Sequence, residues 1–258
     1  MLPWRARSPS PPHVLPFPPP PERFLRALRG ATGRGVRVAV IDTGWDRAHP
    51  DPRVLPGAGV VDPEHDFTLV PSDDDGDRLG HGTAVASLVL RVAPEAEIVP
   101  VRVFGGRLET TPGALAAGIG WAARRGIPLA NLSVGTTLAS ARAPLREACA
   151  EARRAGTLLV AAAHTPTAYP AVLDEVIGVG AGHLAAPWDF RHHPGPVECT
   201  AAGHDLPVRW LRGETEVMSG ASFAAPLVTG IVARVLERHP GAGLPEVRRI
   251  LAGLALAR

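Results

Sequence analysis

The feature that most limits the folds open to this chain is a repeated exchange of short apolar runs with longer helical stretches. Val36-Arg37-Val38-Ala39-Val40-Ile41, Leu129–Val134, Leu158–Ala163 and Val176–Val179 read as buried strands. Glu97–Phe104 joins them despite Pro100. Between them lie three helical stretches: Ala84–Val92, the segment after Thr111-Pro112, and the segment from Pro144. In the second, Leu115, Ile119, Ala122 and Ala123 share a face, Thr111 is an N-cap and Gly126 the stop. In the third, Leu145, Ala148, Cys149, Ala152 and Ala155 share a face that Gly156 closes. A helix long enough to return the chain makes successive strands parallel, and strands covered on both faces read as unbroken apolar runs. The expected fold is therefore α/β, three layers in the order α/β/α, with a largely parallel, doubly wound sheet and right-handed crossovers. A short helix at Glu22–Leu28 opens the domain. A long helix from Ser222 and a shorter one through Val247, Ile250, Leu251 and Leu254 end it.

The chain has 258 residues, enough for one large core. Hydrophobic residues make up 45% but aromatics only 5%, so that core is built from Ala, Val and Leu. A formal charge of +2 with scattered Arg gives no nucleic-acid surface. No run reaches the roughly 18 apolar residues of a membrane span. Cys149 and Cys199 sit in apolar contexts and are expected as buried free thiols. Residues 1–21, ending in Pro18-Pro19-Pro20-Pro21, read as a disordered or polyproline-like tail before one domain at 22–258. The tail is either an inert extension or a strap that holds the domain or a partner. It carries no basic head followed by an apolar run, which makes a cytoplasmic location the expectation.

Three polar points stand out. Asp42 ends a strand at the sheet edge where ligands gather in open α/β folds, though it also suits a turn. His81, between Gly80 and Gly82, opens a helix, where a lone His is usually structural. Ser222, in Gly220-Ala221-Ser222-Phe223-Ala224-Ala225-Pro226, lies where a turn becomes a helix. It is an N-cap, or a nucleophile placed at free N–H groups and a favourable dipole. Pro226 falls in the opening turns, where a missing N–H costs least. Together the three make chemistry: a hydroxyl is a poor nucleophile until an imidazole takes its proton and a carboxylate fixes that imidazole's tautomer. Asp73, Asp75 and Asp77, in a polar loop over 62–77, offer a weak Ca²⁺ set. A solvated loop is the plainer account, and no cofactor is expected.

The order Asp, His, Ser is that of subtilisin. Val38–Gly44 with His49-Pro50-Asp51, Gly80–Thr83 with Val85-Ala86, and Gly220–Pro226 closely resemble the three motifs of the subtilisin-like serine proteases, the subtilases. The likeness covers about Val36 to Leu251. It implies a serine endopeptidase acting on a peptide or protein through an acyl-enzyme, with Asp42 as orienting acid, His81 as general base and Ser222 as nucleophile. Asn131–Gly135 resembles the strand lining the primary specificity pocket, which makes Ser133, Val134 and Gly135 substrate-binding. Val101–Gly106 resembles the opposite edge, with Val103, Phe104 and Gly105 in contact, so an extended peptide would add between the two.

Two departures matter. Where the family has Gly-Asn after its alanine run, this chain has Ala161-Ala162-Ala163-His164-Thr165, and Ala221 replaces the usual Thr before the nucleophile. Thr165 and His164 are then the oxyanion-hole candidates. Only about 35 residues precede the Asp42 strand, too few for a folding propeptide domain, so folding unaided or with an external partner is expected. These departures suggest an enzyme restricted to one precursor or leader peptide, with a partner protein as a further option. The alternative is a pseudoprotease that keeps the peptide groove without the chemistry.

Overall fold

The computed structural model describes residues 17–62, 66–71 and 75–257. Helices are α1 (Glu22–Leu28), α2 (His81–Val92), α3 (Pro112–Arg124), α4 (Arg142–Arg154), α5 (Ala221–Arg238) and α6 (Leu244–Leu254). Strands are β1 (Arg37–Asp42), β2 (Ala58–Asp62), β3 (Asp66–Pro71), β4 (Glu97–Arg102), β5 (Leu129–Leu132), β6 (Leu158–Ala162) and β7 (Val176–Gly182). Four short ones follow: β8 (Phe190–His192), β9 (Cys199–Ala202), β10 (Leu206–Arg209) and β11 (Thr215–Met218).

The main sheet runs β3-β2-β4-β1-β5-β6-β7-β9-β8. Neighbours from β2 through β9 are parallel, while β3 and β8 close the two edges antiparallel. From β1 the chain first lays the outer strands β2 and β3, comes back to place β4 beside β1, and then crosses to lay β5 on the other side of β1. That reversal makes the C-terminal end of β1 the switch point, where a crevice opens. Strand alternation assigns the two faces. Val38 and Val40 pack with α2 and α5, while Ala39 and Ile41 pack with α3 and α4. The three layers follow directly.

Pro100 is tolerated inside β4 for a local reason. Ile98 turns its N–H and C=O to Arg53 and Leu55, so two residues on the missing N–H of Pro100 faces that same ragged side, away from the β1 ladder. α4 begins at Arg142, two residues before Pro144, after a single 3₁₀ turn at Ala139–Ala141. The loop expected over 62–77 is corrected: β3 lies within it, because Phe67-Thr68-Leu69-Val70 can pair with β2 despite acidic flanks. The strands β8 to β11 are too short to show a period in sequence.

Phe17 packs against the core beneath the Arg91 guanidinium, 3.6 Å above its ring. The Pro18 carbonyl accepts from Trp188 Nε1 at 2.7 Å. The last residues of the Pro-rich stretch thus lie on the domain; residues 1–16 fall outside the described ones. Cys149 and Cys199 are buried and free, and burial pushes the Cys149 thiol up to about 12. Among the described residues, no helix is long and apolar enough to cross a membrane.

Candidate active site

Asp42 is the last residue of β1 and is fully buried. Its Oδ1 accepts from its neighbour's Thr43 N–H at 2.7 Å and from His81 Nδ1 at 2.7 Å. His81 is the first residue of α2, and the approach of that helix to β1 depends on glycine. Gly82 donates to Thr43 Oγ1 at 2.7 Å, and a Cβ there would lie 2.4 Å from the Gly44 carbonyl oxygen. Gly80 has φ 92°, and a Cβ on it would strike the Trp210 ring at 2.2 Å. Asp77 caps the helix, accepting from the N–H groups of Leu79, Gly80 and Thr83 and from Thr83 Oγ1. Burial alone depresses the His81 pKa. The charge and hydrogen bond of Asp42, with a smaller contribution from Asp77, outweigh that and raise it above its ordinary value. With Nδ1–H given to Asp42, Nε2 is the nitrogen left to take a proton.

Ser222 is the second residue of α5, in the first turn, where its N–H has no carbonyl four residues back within the helix to bond. Pro226 is the sixth residue of that helix, so its position is not free as the sequence suggests. Its missing N–H is the one that would bond to the Ser222 carbonyl. Ser133 fills the gap: its Oγ donates to the Ser222 carbonyl at 2.7 Å, and the Ser222 hydroxyl donates back to the Ser133 carbonyl at 3.0 Å. Asn131 Nδ2 donates to Ser133 Oγ at 3.0 Å, and Thr229 Oγ1 on α5 donates to Asn131 Oδ1 at 2.8 Å. One chain of bonds therefore ties the Ser222 turn to the end of β5. Phe223, next along, tilts against the His81 ring with centroids 5.3 Å apart.

His164 and Thr165 line an open cavity together with Ser222, Ala221 and His204. Thr165 turns its hydroxyl toward Thr167, 3.4 Å from Thr167 Oγ1. His164 has its pKa lowered by the protein packed around it and by the charge of His81, which places the two imidazoles within electrostatic reach. It nevertheless stays exposed at its outer edge. Ala221 is buried and brings no polar group.

A profile of the subtilase family (peptidase S8) matches residues 33–255, from before β1 to the end of α6. The chain belongs to the subtilase family. Subtilisin Savinase of Lederbergia lenta is 34% identical over 244 residues, which are 88% of this chain and 86% of that protein. M-protease of Shouchella clausii (strain KSM-K16) is 34% identical over the same share of this chain, which spans only 60% of M-protease. A crystal structure of a cold adapted subtilisin-like serine proteinase, 26% identical, superimposes with a TM-score of 0.71 and covers 86% of this chain and 83% of its own.

Other expected site residues of this subtilase divide. Ser133 and Gly135 lie beside Ser222 and His164, and Val134 is partly exposed between them. Val103 and Phe104, by contrast, bury their side chains, and their carbonyls hold Thr110 Oγ1 and Arg102 Nη1. Val103 and Gly105 both line the surface groove beside Arg107 and Glu109, but of the trio only Gly105 is more than marginally exposed. The Ca²⁺ set does not fit. Asp75 is fully buried and spends its carboxylate on Arg47 and the Gly57 N–H, while Asp77 serves as the α2 cap. Asp73 lies outside the described residues. The sequence reading missed Asp77, Thr43 and Trp210 as supports of His81. Asp77 had a visible signal, an Asp just before Gly-His-Gly-Thr, whereas Trp210 is remote in the chain.

Proposed function

We propose that this subtilase is an active serine endopeptidase. His81 Nε2 takes the Ser222 proton as Oγ attacks a peptide carbonyl; the same proton passes to the departing amine, and water then hydrolyses the acyl-enzyme. The observation that carries the reading is the 2.7 Å bond from His81 Nδ1 to a carboxylate with no solvent access. The reading requires the Ser222 hydroxyl to turn from the Ser133 carbonyl toward His81, a rotamer change of picoseconds to nanoseconds. The Ser222 N–H in the first turn of α5 supplies one oxyanion donor. Loss of one side-chain donor lowers turnover by about 10²–10³-fold, a figure measured in subtilisin itself. A slow enzyme suits a dedicated substrate, and we place this one inside the cell, trimming a precursor or leader peptide that lies along residues 133–135.

A fluorophosphonate probe tests the chemistry: wild type labels and Ser222→Ala does not. A second reading, a peptide-binding module without catalysis, is favoured by the Ser222 hydroxyl resting on Ser133 instead of His81. Peptide binding by folded protein that never labels would establish it. Cell fractionation tests the location, and a precursor processed normally in cells carrying Ser222→Ala would remove the dedicated-substrate reading.

A further inference from the structure

Beside the nucleophile, the ends of two neighbouring strands open a slot. β5 and β6 pair in parallel with Leu132 beside Ala161. Past them, residues 133–136 and 163–169 separate, then rejoin where Thr136 and Tyr169 exchange both backbone hydrogen bonds, at 2.9 and 2.8 Å. The mouth of the slot is fixed at Ser222 by the reciprocal bonds with Ser133. His164 stands across the slot, its ring edge facing Gly135 while the residue itself stays exposed. Its Nε2 lies 3.2 Å, and its Cδ2 3.5 Å, from the point where a Cβ on Gly135 would sit; the Tyr169 carbonyl oxygen is 2.9 Å from that point. The imidazole therefore closes directly on backbone, with no side chain between them. Its own backbone has little freedom, because Ala163 N bonds to the Val179 carbonyl and Ala168 N closes a turn on the Thr165 carbonyl.

We propose that His164 determines specificity: its imidazole occupies the space that the side chain just before the scissile bond would enter, so this subtilase cleaves after Gly, Ala or Ser and rejects aromatic and long aliphatic residues. The inference rests on the endopeptidase reading and names its substrate class. An extended peptide pairing with residues 133–135 turns alternate side chains toward and away from the sheet end. The residue whose carbonyl meets Ser222 Oγ sits at the mouth of the slot and turns its side chain into it. An aromatic group needs space that the imidazole already fills, and in tight apolar pockets even one methylene changes kcat/KM by about 10–200-fold. The neutral form of His164 is favoured by its surroundings and by the charge of His81, so the slot offers no cation to an acidic residue at neutral pH.

Peptides that differ only in the residue before the cleaved bond (Gly, Ala, Ser, Leu, Phe) provide the test, with the active fraction fixed by fluorophosphonate titration. For wild type, kcat/KM for Ala should exceed that for Phe at least tenfold. His164→Gly should raise the Phe-to-Ala ratio at least tenfold, and His164→Phe should narrow the preference toward Gly. Equal cleavage after Phe and Ala by wild type would overturn the proposal. So would an unchanged ratio in a His164→Gly enzyme that still labels; a uniform fall in kcat across the series would mark His164 as an oxyanion donor instead. If neither wild type nor variant labels, the endopeptidase reading itself fails, and the size preference with it.

Discussion

The bond from Ser133 Oγ to the Ser222 carbonyl exists because Pro226 has no N–H to give, and that dependence is measurable. Ser133→Ala strips two partners at once: the Ser222 carbonyl loses its donor, and the fully buried Asn131 loses the acceptor of its Nδ2. An orphaned buried polar group costs about 1–3 kcal/mol, so the variant should lose about 2–4 kcal/mol of stability. Pro226→Ala restores a backbone N–H in register with the Ser222 carbonyl. In that background Ser133→Ala orphans only the Asn131 amide, and its effect should fall to about 1–2 kcal/mol. Urea unfolding of the four proteins, read as midpoint shifts at constant slope, gives the coupling directly. A coupling of about 1–2 kcal/mol is expected. Additive effects within about 0.5 kcal/mol would refute the claim that the proline and the serine serve one carbonyl.

Asp42→Asn should lower kcat by about 10⁴-fold with little change in fold, since the amide presents the wrong hydrogen-bonding partner to Nδ1. The pH profile of kcat/KM should show an acid limb above 6.5, because His81 must be neutral to accept a proton and its pKa is raised; Asp77→Asn should move that limb to lower pH. The same shift has a stability consequence of fixed sign: the His81 contribution is present below about pH 6.5 and is lost as pH rises through its raised folded value. Gly82→Ala should destabilise by about 1–3 kcal/mol and suppress fluorophosphonate labelling, because the new methyl meets backbone atoms of Gly44 at 2.4 and 2.8 Å. Arg47→Ala should cost about 1–3 kcal/mol in chemical unfolding, since it leaves the buried Asp75 carboxylate with the Gly57 N–H but without its arginine.

Sequence reading went furthest where the signal is local. The five buried runs and the glycines beside Asp42, His81 and Ser222 are each set by a handful of adjacent residues, and the strand–helix alternation admits few layer arrangements. It went less far where a residue answers to a distant partner. Val103 and Phe104 carry strand-like character whether they face a groove or a core, and only packing against α3 and the turn at Thr110 turned them inward. Asp75 offers the same carboxylate to a cation or to an arginine; the approach of Arg47 decided between them. By itself, then, the sequence determined the α/β alternation and the three motif residues. The tertiary structure alone decided that Ser133 completes the first turns of the Ser222 helix and that His164 stands against Gly135. Those contacts join atoms from separate elements, and their distances are set by how the layers pack, which no local pattern of residues encodes.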